Sequence, residues 1–340
     1  MTIPLFVLVG PTAVGKTRLA IDLAQWGRKA GDPAGEVISG DSMQVYRGMD
    51  IGTAKPSPAE RRGVPHHLLD VLEPSEDFSV AKFQEMVRRA AEEIYGRGRL
   101  PMLVGGTGLY VRAVVDNYAF PPEEADWDLR ARLMEEARRE GSEALHARLA
   151  RADPAAAARI HPRDARRVAR ALEVATVAGR PISRDVELTA ARPSPYDPLT
   201  VGLNMDRAEL YARIGRRVEG MIEEGLVDEV SRLLRGPGFG RTAGQALGYK
   251  EMLAHVTGRL SLPEAVALLK RNTRRFAKRQ LTWFRRDPRV VWFAAPPEGA
   301  DSPEYRRLVE GIVSVIAQKW KWVYNQVQAG HIISGGGRCR

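Results

Sequence analysis

Eight residues near the start of the chain, Gly10-Pro11-Thr12-Ala13-Val14-Gly15-Lys16-Thr17, have the types and spacing G-x-x-x-x-G-K-[ST] that can hold a phosphate chain. Gly10 and Gly15 let the backbone curl. The N–H groups of the loop, including those of Thr12, Ala13 and Val14, and of the helix start behind it then converge on one anion. Lys16 adds a mobile cation, and Thr17 a hydroxyl for phosphate or Mg²⁺. The apolar run Leu5 to Val9 precedes the loop and the helix-like Arg18 to Ala24 follows it, the strand–loop–helix setting this chemistry needs. The loop is therefore a cradle for a diphosphate. It leaves open which diphosphate, and whether phosphoryl transfer follows.

Two more polar stretches stand at the ends of buried, strand-like runs. Glu36 to Ser39 leads into Gly40-Asp41-Ser42-Met43-Gln44-Val45-Tyr46, and Leu100 to Val104 into Gly105-Gly106-Thr107-Gly108-Leu109-Tyr110. Ligands of an open parallel sheet sit at the carboxyl ends of its strands, so Asp41 and Thr107 are expected on the edge that carries the phosphate loop. Asp41 is the best candidate for a catalytic carboxylate; the alternative is an aspartate that closes an Asx turn or caps a helix. His66-His67 invites a metal reading. Neighbouring strand residues point to opposite faces and no partner cysteine is at hand, so no metal is expected there.

The elements that must position these groups follow from periodicity. Besides the strands above, His66 to Leu72, Thr200 to Met205 and Val290 to Phe293 read as strands. Helical spacing runs over Val80 to Tyr95 behind a Ser79 cap, Ala208 to Glu224, Leu226 to Leu234, Ser261 to about Arg286 and Pro303 to about Tyr324. The expected class is α/β, a P-loop NTPase-like parallel sheet flanked by helices, built from residues 1–120 and 200–325. Between them, from Pro121-Pro122 to Asp197-Pro198, the text turns to Ala, Arg and Glu with breakers that mark roughly four helices. We read residues 121–199 as an all-helical insertion and 326–340, a glycine-rich tail, as disordered.

Charge narrows the partners. The 340 residues carry a formal net charge of +10. Residues 1–120 hold 14 basic and 14 acidic side chains, 121–200 again 14 and 14, and 201–340 hold 24 against 14, so the excess is all C-terminal. On the helix from Ser261, Val266, Leu269, Thr273, Phe276, Ala277 and Gln280 gather on one side at 100° per residue. Lys270, Arg271, Arg274, Arg275, Lys278 and Arg279 cover the other. A solvated face mixes signs and this one does not, which points to a polyanion larger than a diphosphate. The one cysteine, Cys339, excludes a disulfide framework and a cysteine zinc site, and a reducing cytoplasm fits. No basic leader and no apolar segment long enough to span a membrane is present. We expect a cytoplasmic monomer with no membrane partner.

Taken together, the phosphate loop, Gly40 to Tyr46, Gly52-Thr53-Ala54-Lys55-Pro56, Gly105 to Tyr110, Arg170-Ala171-Leu172-Glu173-Val174, Gly225 to Val230, Gly248-Tyr249-Lys250-Glu251 and Ala277 to Arg285 resemble the tRNA dimethylallyltransferases, or tRNA isopentenyltransferases, of bacterial type. The matches run in order over residues 4–293. The resemblance implies transfer of a dimethylallyl group from dimethylallyl diphosphate to the exocyclic amine of the adenosine 3′ to the tRNA anticodon, with release of diphosphate. It implies Asp41 as general base, and Thr107 near the scissile oxygen. Lys16 and Thr17, with Mg²⁺ and an arginine from Arg213 or Arg217, would hold the diphosphate. Its tRNA contacts fall on Asp41, Ser42, Met43 and Gln44, on Thr107 and Arg130, on Arg166, Arg167 and Arg170, and on Lys278 and Arg279. The chain departs from the family at Arg166, where glutamine is usual, and lacks the C-terminal zinc finger of eukaryotic members. Two rival classes remain, a small-metabolite kinase that consumes ATP and a nucleotide-gated RNA-binding protein; a close relative, an isopentenyltransferase of free adenine nucleotides, would not need the insertion or the one-signed helix.

Overall fold

The structure, a computed structural model, describes residues 2–26, 34–120, 125–297 and 302–320. In chain order β1 (Ile3–Val9) leads through the phosphate loop into α1 (Lys16–Ala24), followed by β2 (Gly35–Ser39), the short α2 (Pro58–Arg61), β3 (His66–His67), α3 (Val80–Gly96), β4 (Leu100–Val104) and α4 (Gly108–Val115). Five helices follow, α5 (Trp127–Glu140), α6 (Ser142–Ala152), α7 (Pro154–Ala157), α8 (Ala165–Val177) and α9 (Ser183–Ala191). The chain then returns through β5 (Tyr196–Asn204), α10 (Arg207–Glu223), α11 (Leu226–Arg235), α12 (Tyr249–Val256), α13 (Leu262–Phe284), β6 (Val290–Ala294) and α14 (Pro303–Lys319).

The six strands form one parallel sheet in the order β3-β2-β4-β1-β5-β6. Both of its faces are covered, which is why the central strands read as unbroken apolar runs. Leu5, Val7 and Val9 enter the cluster on one face with Ile38 and Leu103. Phe6 and Leu8 enter the opposite cluster with Val37, Met102 and Val104, as the two-residue pleat requires. Because β2, β4 and β1 are neighbours and parallel, their carboxyl ends deliver Gly40, Gly105 and Gly10 side by side. The approach is close: a Cβ on Gly105 would stand 2.3 Å from the Gly40 carbonyl oxygen.

The strand expected over His66 to Leu72 is cut after His67. Leu68 and Asp70 turn into the left-handed region, at φ 63° and 56°. The buried ammonium of Lys55 draws the chain aside here, reaching Asp70 Oδ1 at 2.5 Å, Asp50 Oδ1 at 2.6 Å and the Tyr46 carbonyl at 2.7 Å. β5 begins at Tyr196, four residues ahead of the expected Thr200, and runs through Pro198. The proline is tolerated because β6 pairs only with Thr200 to Asn204.

The chain divides into two compact units, residues 1–115 with 195–340 and residues 116–194. The second has a core of its own, built on Leu133, Leu145, Leu149, Val168 and Leu172. It holds five helices where the breakers mark four; the additional one is the single turn α7, capped by Asp153, whose carboxylate accepts from the N–H groups of Ala156 and Ser183 at 2.9 Å each. The expected extension of the last helix to Tyr324 and the tail from 326 lie outside the described residues.

Candidate active site

The cradle begins with backbone geometry that only certain residues accept. Gly10 and Gly15 sit at φ 146° and 102°, and a Cβ on Gly10 would meet the Leu203 carbonyl oxygen at 2.7 Å. Ala13, at φ 67°, is a non-glycine residue held in the left-handed region, as occurs at ligand clamps. α1 starts directly at Lys16 with no side-chain cap, so its first N–H groups have no acceptor within the helix and face the loop. The Lys16 ammonium donates to the Gly10 carbonyl at 3.0 Å and the Pro11 carbonyl at 2.8 Å. Burial lowers its pKa from the usual 10.5 to about 7; Arg217 nearby pushes the same way and Asp41 opposes. Thr12 behaves differently from the rest of the loop. Its N–H donates to Gln280 Oε1 at 2.8 Å, so what it presents to the crevice is its hydroxyl.

Two cavities meet at this edge. One, of about 330 Å³, is lined by the cradle with Lys16, Thr17, Gln44, Arg213 and Gln280. The other, of about 280 Å³, is lined by Ser42, Met43 and Thr107 and by an apolar wall that includes Ile214, Val218, Met221 and Leu269. Thr12, Asp41, Thr53, Arg217 and Phe276 line both, so Asp41 stands where a polar chamber opens into an apolar one. One Asp41 oxygen, Oδ1, accepts from the Met43 N–H at 2.8 Å, the Asx turn weighed as the alternative to a catalytic role. The two readings are compatible, because the turn uses one oxygen and the other has no hydrogen-bond partner among the described residues. The Thr107 hydroxyl accepts from the Ser42 N–H at 3.4 Å, which ties the β4 loop to the β2 loop.

The two arginine candidates, one helical turn apart on α10, have different surroundings. Arg213 donates through Nη2 to the carbonyls of Pro296 at 3.0 Å and Pro297 at 2.9 Å, and pairs with Glu209. Arg217 reaches the Thr12 hydroxyl at 3.5 Å, and burial depresses its pKa while Asp41 opposes the shift. Both arginines line the cradle chamber, and of the two only Arg217 also lines the apolar one. Gln44 is turned inward: its Oε1 accepts from the Ser39 hydroxyl at 2.9 Å, and its Nε2 reaches the carbonyls of Thr53 and Ala54 at 3.3 Å.

The one-signed face of α13 is divided. Lys270 pairs with Glu219 at 2.6 Å, and Arg274 lies over the Tyr211 ring at 5.6 Å, since α10 packs alongside. Arg271, Arg275, Lys278 and Arg279 are exposed and pair with no acid among the described residues. In the helical unit, the buried carboxylate of Glu173 holds both Arg130 at 2.6 Å and Arg170 at 2.7 Å, while Arg166 and Arg167 are exposed. Arg167 reaches its cap, Asp164, at 3.2 Å.

Glu229 and Tyr249, which lie in matched motifs but were given no role from the sequence, hold this crevice in shape. Glu229, buried on α11, accepts from the N–H groups of Asp50, Ile51 and Gly52 at 3.0, 2.9 and 3.3 Å and from the Tyr249 hydroxyl at 2.6 Å. It fixes the loop that carries Thr53. Glu229→Ala would leave these buried donors unpaired and should cost roughly 3 kcal/mol or more of stability. The urea midpoint reports it; a midpoint equal to the parent's would contradict the tether.

The family described as IPP transferase matches residues 44–287. The tRNA dimethylallyltransferase of Symbiobacterium thermophilum is 57% identical over 94% of this chain and 97% of its own length. That of Bacillus subtilis is 49% identical over 86% and 91%. Among solved structures, a full-length tRNA isopentenylpyrophosphate transferase from Bacillus halodurans superposes with a TM-score of 0.68 at 47% identity, covering 95% of this chain and 98% of its own. A eukaryotic dimethylallyltransferase acting on tRNA superposes with a TM-score of 0.73 at 28% identity, covering 93% and 80%.

Proposed function

The chain belongs to the IPP transferase family, and from that premise we propose how its crevice works as a tRNA dimethylallyltransferase. It transfers the dimethylallyl group of dimethylallyl diphosphate to the exocyclic amine of the adenosine 3′-adjacent to the anticodon, releasing diphosphate. The observation that carries the site assignment is Asp41 at the junction of a phosphate-type chamber and an apolar one. The diphosphate lies in the cradle of Gly10 to Thr17, against Lys16 and Arg217, and the prenyl carbons face the apolar wall. An allylic C–O bond ionises readily because the cation is delocalised, so the protein's part is to neutralise the leaving diphosphate and hold the amine in line. The adenine amine is a weak nucleophile while its lone pair is conjugated with the ring. The free Asp41 oxygen takes its proton during attack, and Thr107 donates toward the scissile oxygen.

A divalent metal suits this donor set. No group of three or more His, Cys, Asp or Glu among the described residues could hold one. Thr17 offers a neutral hydroxyl beside the cradle and would be the residue that holds Mg²⁺, a hard cation that takes oxygen ligands. When bound, it adds positive charge against the leaving group.

The RNA would meet Ser42, Met43 and Thr107 at the mouth of the apolar chamber, the exposed basic residues of α13, and the helical unit through Arg166 and Arg167. Glu173 would hold Arg130 and Arg170 ready for phosphates. These contacts repay the few kcal/mol needed to take the base out of its stack. No described helix is long and apolar enough to cross a membrane. A tRNA substrate and a single cysteine fit the cytoplasm, and we read the protein as a monomer.

Neutralising Arg271, Arg275 and Lys278 together should weaken tRNA binding and reduce its log–log salt slope by about 0.7–0.9 per lost phosphate contact. Neutralising Lys270 alone should change the slope little, because Glu219 already offsets it. Equal slopes for the triple variant and the parent would show that the face is merely solvated. The function itself is tested by stoichiometry. Diphosphate should appear only when tRNA and dimethylallyl diphosphate are both present, and ATP should be neither consumed nor required. ATP hydrolysis, or RNA binding without diphosphate release, would contradict it.

A further inference from the structure

Gln280 lies near the C-terminal end of α13, buried, on a helix whose outer face is basic. Its carboxamide joins two elements far away in sequence. Oε1 accepts from the Thr12 N–H of the phosphate loop at 2.8 Å, and Nε2 donates to the Gly106 carbonyl of the β4 loop at 2.9 Å. These partners fix which way round the amide lies, since an N–H needs an acceptor and a carbonyl a donor. Glutamine is also the side chain whose length and two-sided chemistry fit. A carboxylate has no donor for Gly106, lysine or arginine has no acceptor for Thr12, and asparagine is one methylene shorter. The space is tight, for a Cβ on Gly106 would stand 2.1 Å from Gln280 Nε2.

Thr12 belongs to the loop that we read as holding the leaving diphosphate, and Gly106 precedes Thr107, which faces the acceptor side. We infer that Gln280 is a positioning residue for prenyl transfer: its amide sets the spacing between the donor loop and the Thr107 loop, and so the in-line placement of the two reactants. This rests on the functional reading above. Gln280 borders the diphosphate chamber, but both polar atoms of its amide are taken up by Thr12 and Gly106, and in that reading it acts through them. A misplacement of about 1 Å from a change away from the chemistry can cost roughly 10²-fold in rate.

The test compares the parent, Gln280→Leu and Gln280→Glu in the full chain. Gln280→Leu keeps the bulk and loses both bonds. It should lower single-turnover transfer by roughly 10²-fold while donor and tRNA affinities stay within about threefold. The Thr12 amide, which donates to Gln280 Oε1 in the parent, should exchange with solvent hydrogen faster in this variant. Gln280→Glu supplies the decisive readout. A protonated acid has one accepting and one donating oxygen, as the amide has, so this variant's rate relative to the parent's should rise as the pH falls from about 8 to about 6. Should the leucine variant fold poorly, the ratio of the glutamate variant to the parent still decides. A flat ratio, or turnover within threefold of the parent once Thr12 protection is lost, overturns the positioning role. A parent that transfers nothing would instead overturn the functional reading, while Thr12 exchange would still report the clamp.

Discussion

Asp41→Asn binds tRNA and dimethylallyl diphosphate about as the parent does, while its kcat falls by roughly 10²–10⁴-fold; this is the largest effect we expect. The substitution is matched to the geometry. Asn Oδ1 still accepts from the Met43 N–H, so the turn after β2 is kept, and a second polar atom still reaches the crevice. What is lost is a group that can take a proton. Alkaline pH should restore little, because an aromatic amine does not ionise near neutrality. A kcat within about threefold of the parent would mean that the turn is all Asp41 provides.

Lys16→Ala should lower kcat/KM for the donor by roughly 10²–10³-fold, the scale of removing one group aimed at charge that develops in the transition state. Affinity for tRNA should be nearly intact. The same residue gives a pH signature. In the unliganded protein, burial and Arg217 bring the Lys16 pKa to about 7, so at pH 8 much of it is neutral. A bound diphosphate favours the ammonium, and donor binding at pH 8 should therefore take up a proton, visible by calorimetry in buffers of different ionisation enthalpy. Linkage gives the sign for stability as well. Between pH 7 and 10.5 the unfolded chain binds more protons at this lysine than the folded one, so its contribution to unliganded stability rises with pH across that window. Unchanged donor kinetics in the variant, or no proton uptake by the parent, would contradict the cradle.

How much of this could be read from the chain depends on how local the cause is. The phosphate loop, Asp41 and Thr107 each follow directly on a buried apolar run, and the parallel sheet brings such run-ends to one edge. Arg213 and Arg217 share a helix face, and what distinguishes them, the carbonyls of Pro296 and Pro297 that hold the first, lies more than 80 positions away. The basic stripe of α13 was legible as a stripe, but Glu219 and Tyr211, which occupy two of its members, come from α10. Periodicity places Gln280 on the packing side, where its polar head was the one available hint; its partner Thr12 is 268 residues away. The left-handed turn at Asp70 goes with its ion pair to Lys55, an anchor that strand propensity does not register.

The most direct test of the account is to weigh the product and place it. Unmodified tRNA is incubated with the protein, dimethylallyl diphosphate and Mg²⁺, digested to nucleosides and to site-specific fragments, and analysed by mass spectrometry. The account predicts one adenosine per tRNA heavier by a dimethylallyl group less the hydrogen it replaces, located 3′ to the anticodon. RNA of unchanged mass, or the added mass on another nucleoside, would contradict it.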